Sequence, residues 1–142
     1  MSTLKAVAYV SSACVPLTTA ELEALLIDAR THNAVMHVTG ALLYHDGSFF
    51  QYFEGPPVGV ENVYARIRAS RLHHRLVELL FCPTPSRQFG VWHMGFAPAP
   101  RTFLLELSQA SWLNSLPGLA DNTSEAPGVQ MLREFWRIAS PS

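Results

Sequence analysis

Gln51 is the residue of this sequence whose chemistry is hardest to explain by packing alone. It is an uncharged amide between Phe50 and Tyr52, inside the apolar run 48–53. Its side chain carries two hydrogen-bond donors and an acceptor, and a buried amide needs polar partners. After rotation it can present either its oxygen or its nitrogen to the same neighbour. Gln51 therefore predicts polar partners inside an otherwise apolar part of the fold.

Histidine and cysteine give little sign of metal or redox chemistry. His73 and His74 are adjacent, so their side chains diverge on a strand, and no carboxylate lies beside them at ligand spacing. Cys14 and Cys82 are far apart and match no metal or redox spacing, which indicates two free thiols in a reducing cytoplasm. We therefore expect no metal site.

The composition predicts one globular domain. Of the 142 residues, 49% are hydrophobic and 15% are charged, and the formal net charge is -1. Because there is no basic excess, we expect no direct binding to nucleic acid. Residues 1–5 lack the apolar core of a signal peptide, and no apolar run approaches the length of a membrane span. We therefore expect a cytoplasmic protein with no membrane partner.

Two apolar runs flank a turn sequence and predict the strands that position Gln51. Residues 38–44 and 48–53 are rich in aliphatic and aromatic side chains, and His45-Asp46-Gly47 lies between them. An Asp-Gly pair between two such runs is typical of a β-hairpin. Both arms are too apolar for a sheet with one solvated face, so we expect central strands that are covered for most of their length.

Strand and helix patterns alternate around this hairpin. A capping box formed by Thr18 and Glu21 predicts the start of a first helix, with Arg30 in its last turn and His32-Asn33 at its end. A second helix follows the hairpin, and further strands are predicted at residues 4–10, 76–81 and 89–96. This order predicts an α+β fold, a ferredoxin-like βαββαβ sandwich with an added fifth strand, a mixed sheet and two helices on one face.

The end of the chain carries two amphipathic helical patterns. The first covers residues 102–115, and the second places Phe135 and Trp136 on an apolar stripe after a loop rich in Pro, Gly, Asn and Ser. These helices would cover the open face of the sheet or form a surface for a partner. We therefore divide the chain into a domain at residues 1–98 and a helical extension at residues 99–142.

Five short motifs occur in one order between about residues 4 and 96. They are Tyr9-Val10-Ser11-Ser12, Ala29-Arg30-x-x-Asn33, Thr39-Gly40-x-Leu42-Leu43-Tyr44, Phe50-Gln51-x-x-Glu54-Gly55 and Trp92-x-Met94. In order and spacing they resemble the BLUF family of blue-light sensors, which bind FAD. The last part of the chain resembles the two helices that follow this domain in short, single-domain members.

The resemblance implies a role for each matching residue. Tyr9 matches the tyrosine that gives an electron and then a proton to the excited flavin. Gln51 matches the glutamine that lies between this tyrosine and flavin N5 and O4, and Asn33 matches the asparagine that hydrogen-bonds the pyrimidine edge of the flavin. Trp92 and Met94 match a strand-five pair whose position relative to the flavin is linked to the signalling state.

Further residues match positions around the flavin ring. His32 lies where the family has His or Asn beside the ring, and His73 matches a histidine near the flavin C2 carbonyl. Where the family reads Asp-x-Arg-His, residues 70–73 read Ser-Arg-Leu-His, which removes a cationic hydrogen-bond donor from the C2 side. Arg66 and Arg71 are the two candidates to replace that donor.

The implied chemistry suits these residue types. A flavin ring needs a flat slot between apolar side chains, with a few polar groups at its edge. Tyrosine is the natural electron donor among these side chains, and rotation or tautomerisation of the Gln51 amide would shift the flavin absorption to the red. We therefore expect a blue-light photoreceptor that binds FAD, with FMN or riboflavin as alternative cofactors. We do not expect it to be an enzyme. It would signal through an unknown protein partner or its own oligomer.

Simpler interpretations stand beside this one. Tyr9 would be a core aromatic residue with a satisfied hydroxyl, Asn33 a helix C-cap, and Trp92 with Met94 ordinary core. A flavin-free hydrolase that resembles acylphosphatases would use an Arg and an Asn on the same scaffold, but no Gly-rich phosphate loop adjoins such an arginine. A structural dimerisation module would use Gln51 only to set register.

Overall fold

The computed structural model of the protein describes residues 4–13, 17–70, 73–84, 87, 94–110, 112 and 127–139. Its elements are, in chain order, β1 (Leu4–Ala13), α1 (Thr19–Met36), β2 (Thr39–His45), β3 (Ser48–Gly55), α2 (Pro57–Ala69), β4 (His73–Thr84), β5 (Gly95–Pro98), α3 (Arg101–Gln109) and α4 (Pro127–Ala139).

The strands form one mixed sheet in the order β4-β1-β3-β2-β5. Strand β1 pairs antiparallel with β3 and β4, and β2 pairs antiparallel with β3. The added strand β5 lies parallel to β2 at the edge of the sheet. The predicted ferredoxin-like fold with a fifth strand is therefore confirmed. Of the strand predicted at 89–96, only residues 94–96 lie within the described part of the chain, and β5 begins at Gly95.

The predicted hairpin is confirmed, with its turn at Asp46 and Gly47. Both residues have positive φ angles, 43° and 88°, which the short Asp side chain and glycine tolerate. The turn aligns His45 with Ser48, and β3 is buried at every position after Ser48. The apolar composition of both arms therefore reflects two covered faces of a central hairpin.

Helix α1 begins as predicted but ends later. Thr18 and Glu21 form the reciprocal capping box, yet the helix continues past Asn33 to Met36. Residues 34–36 carry no helix breaker, and His37 ends the helix in the left-handed conformation with φ 59°. Two predictions were therefore wrong: Arg30 does not lie in the last turn, and Asn33 is not the C-cap.

Each face of the sheet is covered by a separate apolar core. On one face, α1 and α2 contribute residues such as Leu26, Val60 and Val63. On the other, α3 and α4 contribute Leu107 and Leu132 to a second core. The two C-terminal helices thus cover the open face of the sheet, as the first of the two alternatives predicted. The boundary at residue 98 stays a prediction.

The aromatic contacts of the second core tie the end of the chain to the hairpin. The Trp112 ring stacks on Phe50 of β3 with ring centroids 5.3 Å apart. The rings of Phe103 on α3 and Phe135 on α4 stack with their centroids 4.4 Å apart, so the two helices also contact each other. Within the described ranges, no helix combines the length and the hydrophobicity that crossing a bilayer requires.

Candidate functional site

A half-open cleft of ≈ 360 Å³ lies between the helices α1 and α2 and the sheet. Its volume falls within the range of small-molecule sites, about 300–1,000 Å³. The apolar side chains that line it are Leu25, Ala29, Leu42, Phe49, Val63, Ile67 and Ala69. Its other lining residues are Tyr9, Asp28, His32, Asn33, Gln51, Arg66, Ser70 and Met94. The cleft therefore combines apolar walls with a set of polar groups.

Gln51 lies at the centre of a short chain of hydrogen bonds. Tyr9 on β1 is directly opposite Gln51 on β3, and the Tyr9 hydroxyl donates to Gln51 Oε1. The Gln51 Nε2 in turn donates to the Sδ of Met94 at 3.4 Å. All three side chains are buried. The polar partners that a buried amide requires are thus a tyrosine hydroxyl on one side and a thioether on the other.

The Tyr9 hydroxyl is held in its neutral, proton-donating form. Burial raises the pKa of Tyr9 above its ordinary value, and the neighbouring Tyr64 raises it further. The two rings lie nearly parallel with centroids 6.3 Å apart. Burial also raises the pKa of Tyr64, whose hydroxyl donates to the Glu78 carboxylate at 2.8 Å. Tyr9 therefore keeps its proton over the whole neutral range.

Asn33 and His32 come from consecutive positions of α1 and have different surroundings. Asn33 is buried, with 2% of its surface exposed, and lines the cleft. A ring nitrogen of the half-buried His32 lies 2.8 Å from Oδ1 of Asn62 on α2. Because the helix continues to Met36, Asn33 does not cap it. Asn33 instead forms a buried part of the cleft wall.

Arg66 lies at the rim of the cleft, where it pairs with an acidic residue of α1. Its Nη2 is 3.0 Å from Oδ2 of Asp28, and both side chains are substantially exposed. Ser70, where the sequence resemblance predicts an acid, caps α2 and lines the same cleft. The structure therefore brings together Tyr9, His32, Asn33, Gln51, Arg66 and Met94. Leu72, Trp92 and the side chain of His73 lie outside the described residues.

Arg30 is a residue whose contact the sequence did not predict. Its Nε donates a hydrogen bond of 2.8 Å to the backbone carbonyl of Met94, so that α1 is tied to the start of β5. Arg30 belongs to the same short motif as Ala29 and Asn33, which is the only sequence signal that associates it with the cleft. Phe49 and Leu42, predicted only as strand residues, form part of the cleft wall.

The residues of this cleft fit a flavin ring. Asn33 and Gln51 carry amides that can both donate and accept at the edge of a heterocycle, and apolar side chains from helix and sheet line the space between them. In the described part of the chain, no group of three His, Cys, Asp or Glu side chains could hold a metal ion. The amide groups and the apolar walls of the cleft suit an organic ring.

Comparison with known proteins supports the same interpretation. The family described as "BLUF: Sensors of blue-light using FAD" matches residues 4–95. The "Photoactivated adenylate cyclase subunit beta" of Euglena longa is 31% identical over 124 residues, which cover 87% of this chain and 13% of that relative. The "Blue light- and temperature-regulated antirepressor BluF" of Escherichia coli (strain K12) is 37% identical over 70 residues, 49% of this chain and 17% of the relative. The chain thus spans a small part of these curated relatives.

Solved structures share the fold. The dark-state structure of BlrB, described as a BLUF protein, has a TM-score of 0.65 at 26% identity and covers 76% of this chain and 80% of its own. The photo-activated state of BlsA has a TM-score of 0.70 at 22% identity and covers 98% of both chains, which shows the common fold. From the family match over residues 4–95, the chain belongs to the BLUF family of blue-light sensors, whose domains bind flavin.

Proposed function

We propose that the protein senses blue light with FAD bound in the cleft between α1, α2 and the sheet, with Tyr9 and Gln51 as its photoactive residues. FMN and riboflavin are the alternative cofactors. The observation that carries the proposal is the buried hydrogen-bond chain from Tyr9 through Gln51 to Met94 at the wall of this cleft. A buried amide between a proton donor and a thioether has two distinguishable orientations, which suits a switch.

A bound flavin would supply the absorption of blue light and, once excited, an acceptor for one electron. Tyr9 would supply an electron to that acceptor, and its hydroxyl proton would follow to the same acceptor by way of the hydrogen bond to Gln51 Oε1. Because burial raises the Tyr9 pKa, this proton is present in the dark state at any neutral pH.

Rotation of the Gln51 amide would change both of its hydrogen bonds at once. In the dark state Oε1 accepts from Tyr9 and Nε2 donates to Met94 Sδ. After rotation, Nε2 faces the Tyr9 oxygen and the amide oxygen faces a sulfur that has no proton to donate. Tautomerisation would also alter both contacts. The bond to Met94 is therefore lost while the bond to Tyr9 is replaced, which directs the change towards β5.

The remaining lining residues hold the cofactor in this proposal. Asn33 hydrogen-bonds the pyrimidine edge, and His32 contacts the ring from the same helix. Arg66 lies at the rim, where a cation suits the phosphate groups of FAD, although Asp28 competes for it. His73 stays a proposed contact to the C2 carbonyl. A cleft of ≈ 360 Å³ takes the ring system, and the adenosine part would lie on the surface.

The signal would leave the domain through protein contacts in the cytoplasm, with the domain itself catalysing no reaction. The relatives named photoactivated adenylate cyclase and antirepressor indicate that related domains control a separate activity. We propose a downstream protein or a second copy of this chain as the recipient. Strand β5 and the helices α3 and α4 are the route, because they follow Met94 directly in the chain.

Spectroscopy of the purified protein tests this function. The protein should contain a flavin, identified by mass after release, and blue light should shift its absorption reversibly to the red. Tyr9→Phe should bind the same flavin without the shift, because its ring lacks the proton and is a poorer electron donor. Protein that takes up none of FAD, FMN and riboflavin on titration would contradict the proposal.

A further inference from the structure

We propose that Arg30 is a positioning residue that holds the start of β5 against α1 and so sets how far, and for how long, the light-induced change at Gln51 displaces that strand. We call the hydrogen bond from Arg30 Nε to the Met94 carbonyl the Arg30 latch. This inference rests on the proposed function, because it concerns the path of the signal that Gln51 generates.

Met94 is held from two sides by bonds of different kinds. Its side-chain sulfur accepts from Gln51 Nε2 at 3.4 Å, and its main-chain carbonyl accepts from Arg30 Nε at 2.8 Å. The first bond depends on the orientation of an amide and involves a weak acceptor, whereas the second is charge-assisted and independent of that amide. Met94 is therefore the residue at which a switchable bond and a fixed bond meet.

Strand β5 is short and lies at the edge of the sheet. It has four residues, Gly95–Pro98, and among the described residues it pairs only with residues 41–44 of β2. Pro98 has no amide hydrogen to add to that ladder. Helix α1, by contrast, is long, carries a complete capping box and packs Leu26 into the core. The Arg30 latch thus attaches a short edge strand to a long, capped helix.

The latch opposes the displacement that rotation of Gln51 would allow. After rotation the Met94 sulfur loses its donor, while the latch still holds the Met94 carbonyl against α1. With the latch intact, the sulfur stays close to Gln51 and favours return of the amide. Without it, residues 94–97 move further away, and the return takes longer. Loss of one charge-assisted, partly exposed bond should slow recovery by about three- to tenfold.

The latch also lies at the entrance to the C-terminal helices. Beyond β5, the Ala99 amide donates to the Tyr44 carbonyl at 3.3 Å, and α3 begins at Arg101. Leu104 and Leu107 of α3 are buried against the second face of the sheet. Displacement of Met94 therefore acts on a short segment that leads into this core, and Arg30 regulates that displacement.

Three variants test the inference: Arg30→Met, Arg30→Lys and the control Arg137→Met, which removes an equal charge from the surface pair with Glu134. Methionine is a good helix former, so Arg30→Met should fold. In the dark, with and without flavin, its amides at residues 94–97 should exchange hydrogen several-fold faster than those of the wild type. Its red shift should keep the wild-type size, and its dark recovery should slow. Arg30→Lys should restore part of both effects, because the ammonium can reach the carbonyl.

Two results would overturn the inference. One is wild-type exchange at residues 94–97 in Arg30→Met, and the other is recovery that changes equally in Arg30→Met and Arg137→Met. Exchange in the flavin-free protein is independent of photochemistry. An absent red shift in the wild type would therefore contradict the proposed function, while unchanged exchange in Arg30→Met would contradict the latch alone.

Discussion

Tyr9 and Gln51 are register partners on the antiparallel strands β1 and β3, and the Tyr9 hydroxyl donates a hydrogen bond to Gln51 Oε1. Both side chains are buried, with 1% and 6% of their surfaces exposed. Because Nε2 of the same amide donates to Met94, one side chain connects the proposed electron donor to the strand that carries the proposed signal. The predictions below test the parts of this connection separately.

Met94→Leu should keep the side-chain volume but remove the acceptor for Gln51 Nε2. A buried donor without a partner costs about 1–3 kcal/mol, and the weak thioether acceptor places the loss near the lower end. We therefore expect the free energy of unfolding in urea to fall by about 1 kcal/mol more than in Met131→Leu, which changes a partly buried methionine packed against the second core. Equal losses in the two variants would show that the sulfur contact contributes only packing.

Asn33→Ala should weaken flavin binding about fivefold, the equivalent of one hydrogen bond of about 1 kcal/mol. Titration of flavin-free protein with FAD measures this change. Thr31→Ala is the control, because it removes a side-chain hydrogen bond to the Ile27 carbonyl on the exposed side of the same helix. If both variants bind FAD like the wild type, Asn33 contributes to the cleft wall and not to the cofactor.

Alkaline pH should destabilise the folded protein through its two buried tyrosines. Burial raises the pKa of Tyr9 and Tyr64 above the ordinary value of 10.0, so above that pH the folded chain holds more protons than the unfolded chain. The stability is therefore fully present below about pH 10 and is lost as the pH rises further. Urea unfolding between about pH 8 and pH 11 should show this fall, and a double variant with phenylalanine at both positions should show less of it. If the free energy of unfolding falls equally in the wild type and the double variant, titratable groups other than Tyr9 and Tyr64 cause the fall.

Leu132→Ala should test whether α4 is part of the folded core. Leu132 is fully buried against the second face of the sheet, so its truncation should lower the free energy of unfolding by about 2–5 kcal/mol. Leu105→Ala on α3 is the matched control, because 51% of the Leu105 surface is already exposed and its loss should be much smaller. Similar losses at both positions would contradict tight packing of α4 on the sheet.

The sequence predicted those features that depend on local chemistry. The turn at Asp46 and Gly47 and the cap at Thr18 need only neighbouring residues, and both are as expected. Gln51 was identifiable because an amide in an apolar strand needs partners, although its bond to Met94 depends on how β5 joins the sheet.

The features that the sequence missed depend on contacts between distant elements. The end of α1 was misplaced because Asn33 is often a helix-ending residue, whereas here it is buried in a cleft wall. Arg30 was interpreted through the helix dipole, since nothing local indicates a carbonyl 64 positions away. The stripe around Phe135 predicted an apolar helix face but not which surface it would cover.

The absorption spectrum of Gln51→Leu before and after blue light tests the central claim most directly. Leucine is similar in size and apolar, so the variant should fold and bind flavin, with a cost of about 1 kcal/mol for the lost hydrogen bond from Tyr9. We predict that the wild type shows a reversible red shift and that Gln51→Leu, at equal flavin content, shows none. A red shift of wild-type size in Gln51→Leu would contradict the role of Gln51 as the relay.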